Sequence, residues 1–376
     1  MKSRIFYALA APVIAAVLAI VVSSIALLIA GHSPVETFQT MWQYLDSADS
    51  LVAIINRAVP YYVAGVAVAI GFKMGLFNIG ADGQYRLAAL IAAAAGAAVS
   101  LPAPLHVAFI LLVAVAVGGA WAAVAGVLKV TRGVNEVVST IMLNFIATGI
   151  SAFLLAEYFR DNNASLVAQT ERLPRSAWVP SLNRLLETFG YHLPQGTILQ
   201  GFLVGAIIVG IGYYVVVWRT RFGFELRTTG VNAAAARSAG VNPKAMILKA
   251  IVLSGMVAGL IGMAPLLCDP ELHQYADTFP TAIGFTGIAI ALLGRNSPGG
   301  IAVAAFVWAA LERAGQALPP IGVPQEIVKI LQGTLLLTAV IAFEVVRRFA
   351  SAAQVREAAT QSGSRASSTP VAVAAS

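Results

Sequence analysis

The chain has 376 residues, of which 59% are hydrophobic and only 11% charged, with a formal net charge of +7 and a mean hydropathy of +0.81. A water-soluble chain carries roughly a quarter of its residues as Asp, Glu, Lys or Arg, so most of this surface cannot face water. The single cysteine, Cys268, excludes an internal disulfide framework and a cysteine metal cluster. The basic residues are spread between apolar blocks, which points to membrane topology and away from nucleic acid.

The apolar blocks are long enough to cross a bilayer at about 20 residues per helix. They predict an all-α polytopic membrane chain of about ten spans in two five-helix halves. In order, these cover residues 5–30, 51–71, 84–101, 105–128, 136–158, 197–217, 245–267, 279–293, 299–316 and 325–346. The first follows Lys2 and Arg4 but is too long for a signal-peptide core of about 7–15 residues, and so reads as a span. With alternating spans, most of the 24 Lys and Arg fall on one side. That set includes Lys2, Arg4, Lys73, Arg86, Lys129, Arg132 and those between Arg219 and Lys249, which predicts both termini in the cytoplasm.

Of the outer segments, residues 159–196 carry Leu182, Leu185, Leu186 and Phe189 at helical spacing. That pattern suits either an amphipathic helix on the membrane surface or a solvated loop. Residues 351–376 lack packing periodicity and predict a disordered cytoplasmic tail, leaving 1–350 as one transmembrane domain.

Two stretches break the apolar pattern. Phe77, Asn78, Asp82 and Gln84 interrupt an apolar region together with glycines. Irregular backbone at membrane depth survives only where it lines a cavity or is buried in protein, so this break is a candidate solute pathway. Residues 284–300 offer its mate in the second half, with Phe285 as a candidate stacking ring. Asn144, inside an apolar span, either lines the same path or hydrogen-bonds a neighbouring helix. Glu136 is placed to complement the positive end of its own helix.

The longest inner loop, residues 218–244, predicts a two-turn helix across the inner mouth. Asn232 N-caps Ala233, Ala234, Ala235, Ala236 and Arg237, Gly240 ends the helix left-handed, and Asn242 with Pro243 launches the next span. An alanine face left in the cytosol has little reason to exist unless a partner docks on it.

The strings GLFNIGADGQYRLAA (75–89), GVNEVVSTIMLNFIA (133–147) and GFTGIAIALLGRNSPGG (284–300) resemble the permeases of simple-sugar and nucleoside ABC importers, the nucleoside branch fitting best. Asp82 stands where that branch has Glu. The resemblance runs from about residue 54 to 347 and implies that residues 218–244 are a coupling loop, with Gly230, Asn232, Ala233–Ala236, Arg237 and Gly240 meeting a cytoplasmic ABC ATPase. It further implies a second, related permease subunit, an extracytoplasmic solute-binding lipoprotein, surrounding lipid, and a prokaryotic cell membrane as location.

The chain has no glycine-rich turn ending in Lys-Ser or Lys-Thr, so it cannot itself bind and hydrolyse ATP through a P-loop. ATP and Mg would be used by the partner. His32, His106, His192 and His273 are scattered, giving neither metal-ligand spacing nor a catalytic constellation. The expectation is a non-enzymatic transport subunit without its own cofactor, moving a nucleoside or a sugar. An ion-coupled secondary transporter is the rival reading, and its candidate titratable groups are Glu157, Glu312 and Asp277.

Overall fold

The computed structural model describes residues 2–161, 167–342 and 345, with side chains from residue 13 onward. The predicted tail at 351–376 and the end of the last span lie outside the described residues. In chain order the α-helices are α1 Lys2–Ile29, α2 Pro34–Leu45, α3 Ala48–Lys73, α4 Ala81–Ala97, α5 Ala103–Arg132, α6 Glu136–Glu157, α7 Asn183–Thr188, α8 Phe202–Tyr214, α9 Arg221–Val231, α10 Ala233–Ser238, α11 Pro243–Gly259, α12 Met263–Cys268, α13 Ile283–Leu293 and α14 Pro298–Gly315. A further helix, α15, covers 326–342. Among the described residues the β-structure is a single antiparallel bridge, Gln169 with Ala276.

Five stretches are long and apolar enough to cross a membrane: Ala48–Lys73, Ala103–Arg132, Glu136–Glu157, Phe202–Arg219 and Pro243–Cys268. A sixth results if Val13–Ile29 and Pro34–Leu45, bent by 119°, count as one broken span. The protein is therefore a multi-pass helical membrane protein. The expected spans at 84–101 and 279–293 are shorter pieces, α4 with 17 residues and α13 with 11. Each follows an irregular segment, residues 76–80 and 269–282.

The chain forms two compact units, one of Met1–Gln39 with Leu318–Ser376, the other Thr40–Ala317. In the first, the Thr338 hydroxyl donates to the Ala15 carbonyl at 3.1 Å, tying α15 to α1.

The second unit is built around α3. Ser47 starts this helix by accepting the Ser50 N–H at 3.1 Å, and an unbroken run from Val63 to Gly71 is buried. A helix apolar on all sides is satisfied only as the core of a bundle, and α3 packs against α8, α11, α13 and α14. Near its start, Arg57 pairs with Glu312 of α14 at 3.1 Å, and the Tyr61 hydroxyl donates to the same carboxylate at 2.6 Å.

Helices α5 and α11 make the most extensive pairing, through glycine. A Cβ on Gly118 would fall 2.4 Å from the Gly255 carbonyl oxygen and 2.8 Å from the Gly259 Cα. Lipid tails are as apolar as side chains, so such close backbone approach, by multiplying van der Waals contacts, is what holds membrane helices together.

Candidate functional site

Between α3 and α4 the chain turns at Gly75 (φ 74°) and climbs back toward the bundle interior. The Leu76 N–H donates to the Gly71 carbonyl, and Asn78 then enters a buried polar knot. Its Nδ2 donates to Gln84 Oε1 at 2.9 Å and to the Ser254 hydroxyl at 2.8 Å, while its Oδ1 accepts from Gln84 Nε2 at 3.0 Å and from the Gly80 N–H. The Ser254 hydroxyl in turn donates a hydrogen bond to the Ala67 carbonyl at 2.6 Å. Asn144 of α6 completes the clamp: its Oδ1 accepts the Gly83 N–H at 2.8 Å and its Nδ2 donates to the Ile79 carbonyl at 2.9 Å.

Asn78, Gln84 and Asn144 are 3%, 1% and 6% exposed. Their hydrogen bonds close on each other and on backbone, which is what makes buried polar groups tolerable. Of the two roles open to Asn144 in the sequence, helix-to-helix bonding is the one this geometry displays. Among the six residues expected along the path, the exposed ones are Phe77 and Phe285, at 49% and 44%. Phe77 stands edge-on to Phe72.

The mate expected at residues 284–300 instead folds as most of α13, a turn at 294–297 and the start of α14. The irregular stretch of the second half, a second break, is residues 269–282, and it is brought against the first. Asp82 is buried and accepts the Gly284 N–H at 3.3 Å, a carboxylate at the positive start of α13. A Cβ on Gly284 would lie 2.3 Å from the Asp82 nitrogen, so only glycine allows this approach. Tyr85 donates its hydroxyl to the Pro280 carbonyl at 2.7 Å. The two interruptions thus form one junction inside the bundle.

Arg86, expected near the inner end of a span, sits one turn into α4, with Nη1 3.3 Å from the hydroxyl of Thr148, at the middle of α6. Glu136 lies in the first turn of α6, as its expected dipole role requires; its carboxylate also pairs with Lys129 at 2.5 Å, and Asn135 caps the helix by accepting the Val137 N–H. Glu312, a candidate for ion coupling, is committed to Arg57 and Tyr61.

The inner loop folds as two helices. In α10, Asn232 Oδ1 accepts the Ala234 and Ala235 N–H groups, each at 3.0 Å, and Gly240 follows at φ 82°. Asn242 accepts the Lys244 and Ala245 N–H groups and starts α11 with Pro243 at its first turn. Ala233, Ala234, Ala235 and Arg237 are exposed, while Ala236 is buried.

Helix α9 was missed in the sequence; its signal was Thr220, whose hydroxyl accepts the Gly223 N–H and caps the turn. Leu226 of α9 joins Met74 and Leu76 of the break, together with Met246, Ala250 and Ile251 of α11, in one apolar cluster, with Val241 packed against it. The exposed α10 packs on α9, and α9 is the helix seated on the segment that leads into the polar knot.

An apolar groove of about 810 Å³ lies between α3, α8 and α14, lined by Ile55, Tyr62, Ile207, Ile211, Ala302 and Phe306 among others. It offers no charged side chain.

Residues 50–340 match the family described as branched-chain amino acid transport system / permease component. Among individual proteins, the chain is 33% identical to the glucose ABC transporter permease protein TsgB13 of Haloferax volcanii, over 87% of this chain and 85% of that one. It is 32% identical to the guanosine ABC transporter permease protein NupP of Bacillus subtilis, over 87% and 91%. It is 28% identical to the nucleoside ABC transporter permease protein NupB of Lactococcus lactis, over 94% and 97%.

Proposed function

The chain belongs to the family of branched-chain amino acid transport system permease components, and from that premise we propose that it forms half of the pathway of an ATP-driven importer whose solute is a nucleoside. The observation that carries the importer reading is α10, a capped, largely exposed alanine helix packed on α9, whose Leu226 in turn packs on the break between α3 and α4. A cytoplasmic ABC ATPase docks there, and its ATP- and Mg-dependent closure pushes the helix and, through Leu226 and Met74, the break. The chain itself performs no chemistry.

In this reading both termini are cytoplasmic and about ten helical segments, some of partial length, are arranged as two five-helix halves in the cell membrane of a prokaryote. A second, related permease completes the pathway, and an extracytoplasmic solute-binding lipoprotein delivers the solute. Nucleosides are favoured by NupP and NupB, whose lengths the alignment covers almost completely. A sugar is the second reading, favoured by the similarity to TsgB13.

The test is to purify the assembled complex and measure ATPase stimulation by nucleosides and sugars in parallel. Stimulation by guanosine and not by glucose supports the nucleoside reading. The reverse order transfers the proposal to sugars, and no co-purifying ATPase removes the importer reading altogether.

A further inference from the structure

Arg86 is a permanent cation at the middle of a membrane protein. At ~1.5 Å per residue, Thr148, which it touches, lies roughly 18 Å along α6 from Glu136, in a hydrocarbon core about 30 Å thick. Charges at such depth face a protein interior or a polar path, and they are kept for function.

Three features separate Arg86 from a merely structural cation. It is half-buried rather than enclosed, so a solute can reach it. Asp82, one turn earlier, feels the Arg86 charge but spends its carboxylate hydrogen bond on the Gly284 N–H. The Arg86 Nε is buried without a hydrogen-bond partner. The side chain touches the Thr148 hydroxyl on one side and the Tyr275 phenol on the other, and Thr148 is exposed. Phe285, beside Gly284, presents an exposed ring at the same junction.

We propose that Arg86 is a solute-contacting residue of the permeation path, holding an uncharged or anionic solute by its oxygen acceptors, such as the carbonyl of a nucleobase or the oxygens of a sugar ring. A guanidinium donates five N–H groups and accepts none, so it selects acceptor-rich faces and repels cations. This inference rests on the importer reading and deepens it: the contact lies on the wall shared by α4, α6 and the second break, one turn from the polar knot.

The experiment compares wild type, Arg86→Lys and Arg86→Gln in the full reconstituted complex, measuring ATP-dependent uptake of guanosine and of glucose and co-purification with the ATPase. For the transported solute, Arg86→Gln is expected to raise KM roughly tenfold or more, the loss typical of a hydrogen bond to a charged group, with a smaller change in maximal rate. Arg86→Lys, which keeps the charge but not the planar fork, falls between the two. Unchanged KM and solute preference in both variants overturns the proposal, as does failure of both to assemble, which assigns Arg86 to packing. Wild-type complex that takes up neither probe with ATP defeats the importer reading instead.

Discussion

Gly230 lies directly against the backbone of Lys73: a Cβ on the glycine would stand 2.5 Å from the Lys73 carbonyl oxygen and 2.9 Å from the Met74 Cα. This places the end of α9 on the turn that opens the break after α3. Helix α9, on which α10 packs, thus meets Met74 through backbone contact as well as through the apolar cluster of Leu226, Met246 and Leu76.

Substituting Gly230 tests that linkage. Backbone cannot give way as a flexible side chain can, so Gly230→Val must pry α9 from the turn. The expected outcome is a complex that still inserts and hydrolyses ATP but whose ATPase no longer responds to solute. Solute-stimulated ATPase equal to wild type contradicts the linkage.

The exposed face of α10 makes a separate prediction. Replacing Ala234 and Ala235 with Glu places bulk and charge on a surface read as fitting a groove, while their exposure leaves the fold of the chain unaffected. Membrane insertion should be retained and ATP-dependent uptake lost. Unchanged uptake in the double variant counts against docking at this helix.

Asn144 predicts a stability effect. Asn144→Leu removes the partners of the Gly83 N–H and the Ile79 carbonyl, and each buried group left unsatisfied costs about 1–3 kcal/mol. Thermal unfolding in detergent should show a midpoint lowered by several degrees, by about 2–4 °C per kcal/mol lost. A midpoint within a degree of wild type argues that water or lipid satisfies these groups.

Residues 167–179 are expected to respond to pH through His273. Its ring stacks on Trp178 at 4.0 Å, while the Leu173 N–H donates to its carbonyl at 2.8 Å and holds residues 169–179 in place. Burial, opposed by a bond to the Leu266 carbonyl and reinforced by Arg172, lowers its pKa below the ordinary 6.5. The unfolded segment thus binds the proton more readily than the folded one, so stability rises with pH through this window. The contribution is fully present above pH 6.5 and is lost as pH falls toward the depressed folded value. Hydrogen exchange of residues 167–179 should speed up at about pH 5.5 relative to about pH 7.5 beyond the intrinsic pH effect, and His273→Phe should abolish that excess. Equal protection at both values would show that His273 takes no part.

Local chemistry was readable in the sequence and distant contacts were not. Asn232, Gly240, Asn242 and Pro243 are caps and turn residues whose conformations depend on their immediate neighbours, and the structure gives each the geometry those neighbours dictate. The break at residues 77–84 was legible because polar residues and glycine have no business in a lipid-facing helix. The contact of Arg86 with Thr148 was not, since it joins residues far apart in sequence. Helix α9 was missed for a similar reason: Leu226 has an apolar partner only once Met74 and Leu76 are folded beneath it.

The central claim is that solute crosses this protein only when a separate ATPase drives it. Proteoliposomes carrying the complete complex and its solute-binding protein, loaded with ATP or without it on the ATPase side, test it most directly through uptake of labelled guanosine. Accumulation is predicted with ATP and not without it, and is lost when the ATPase is omitted. Accumulation driven by a proton gradient across vesicles that hold this chain but no ATPase would contradict the account.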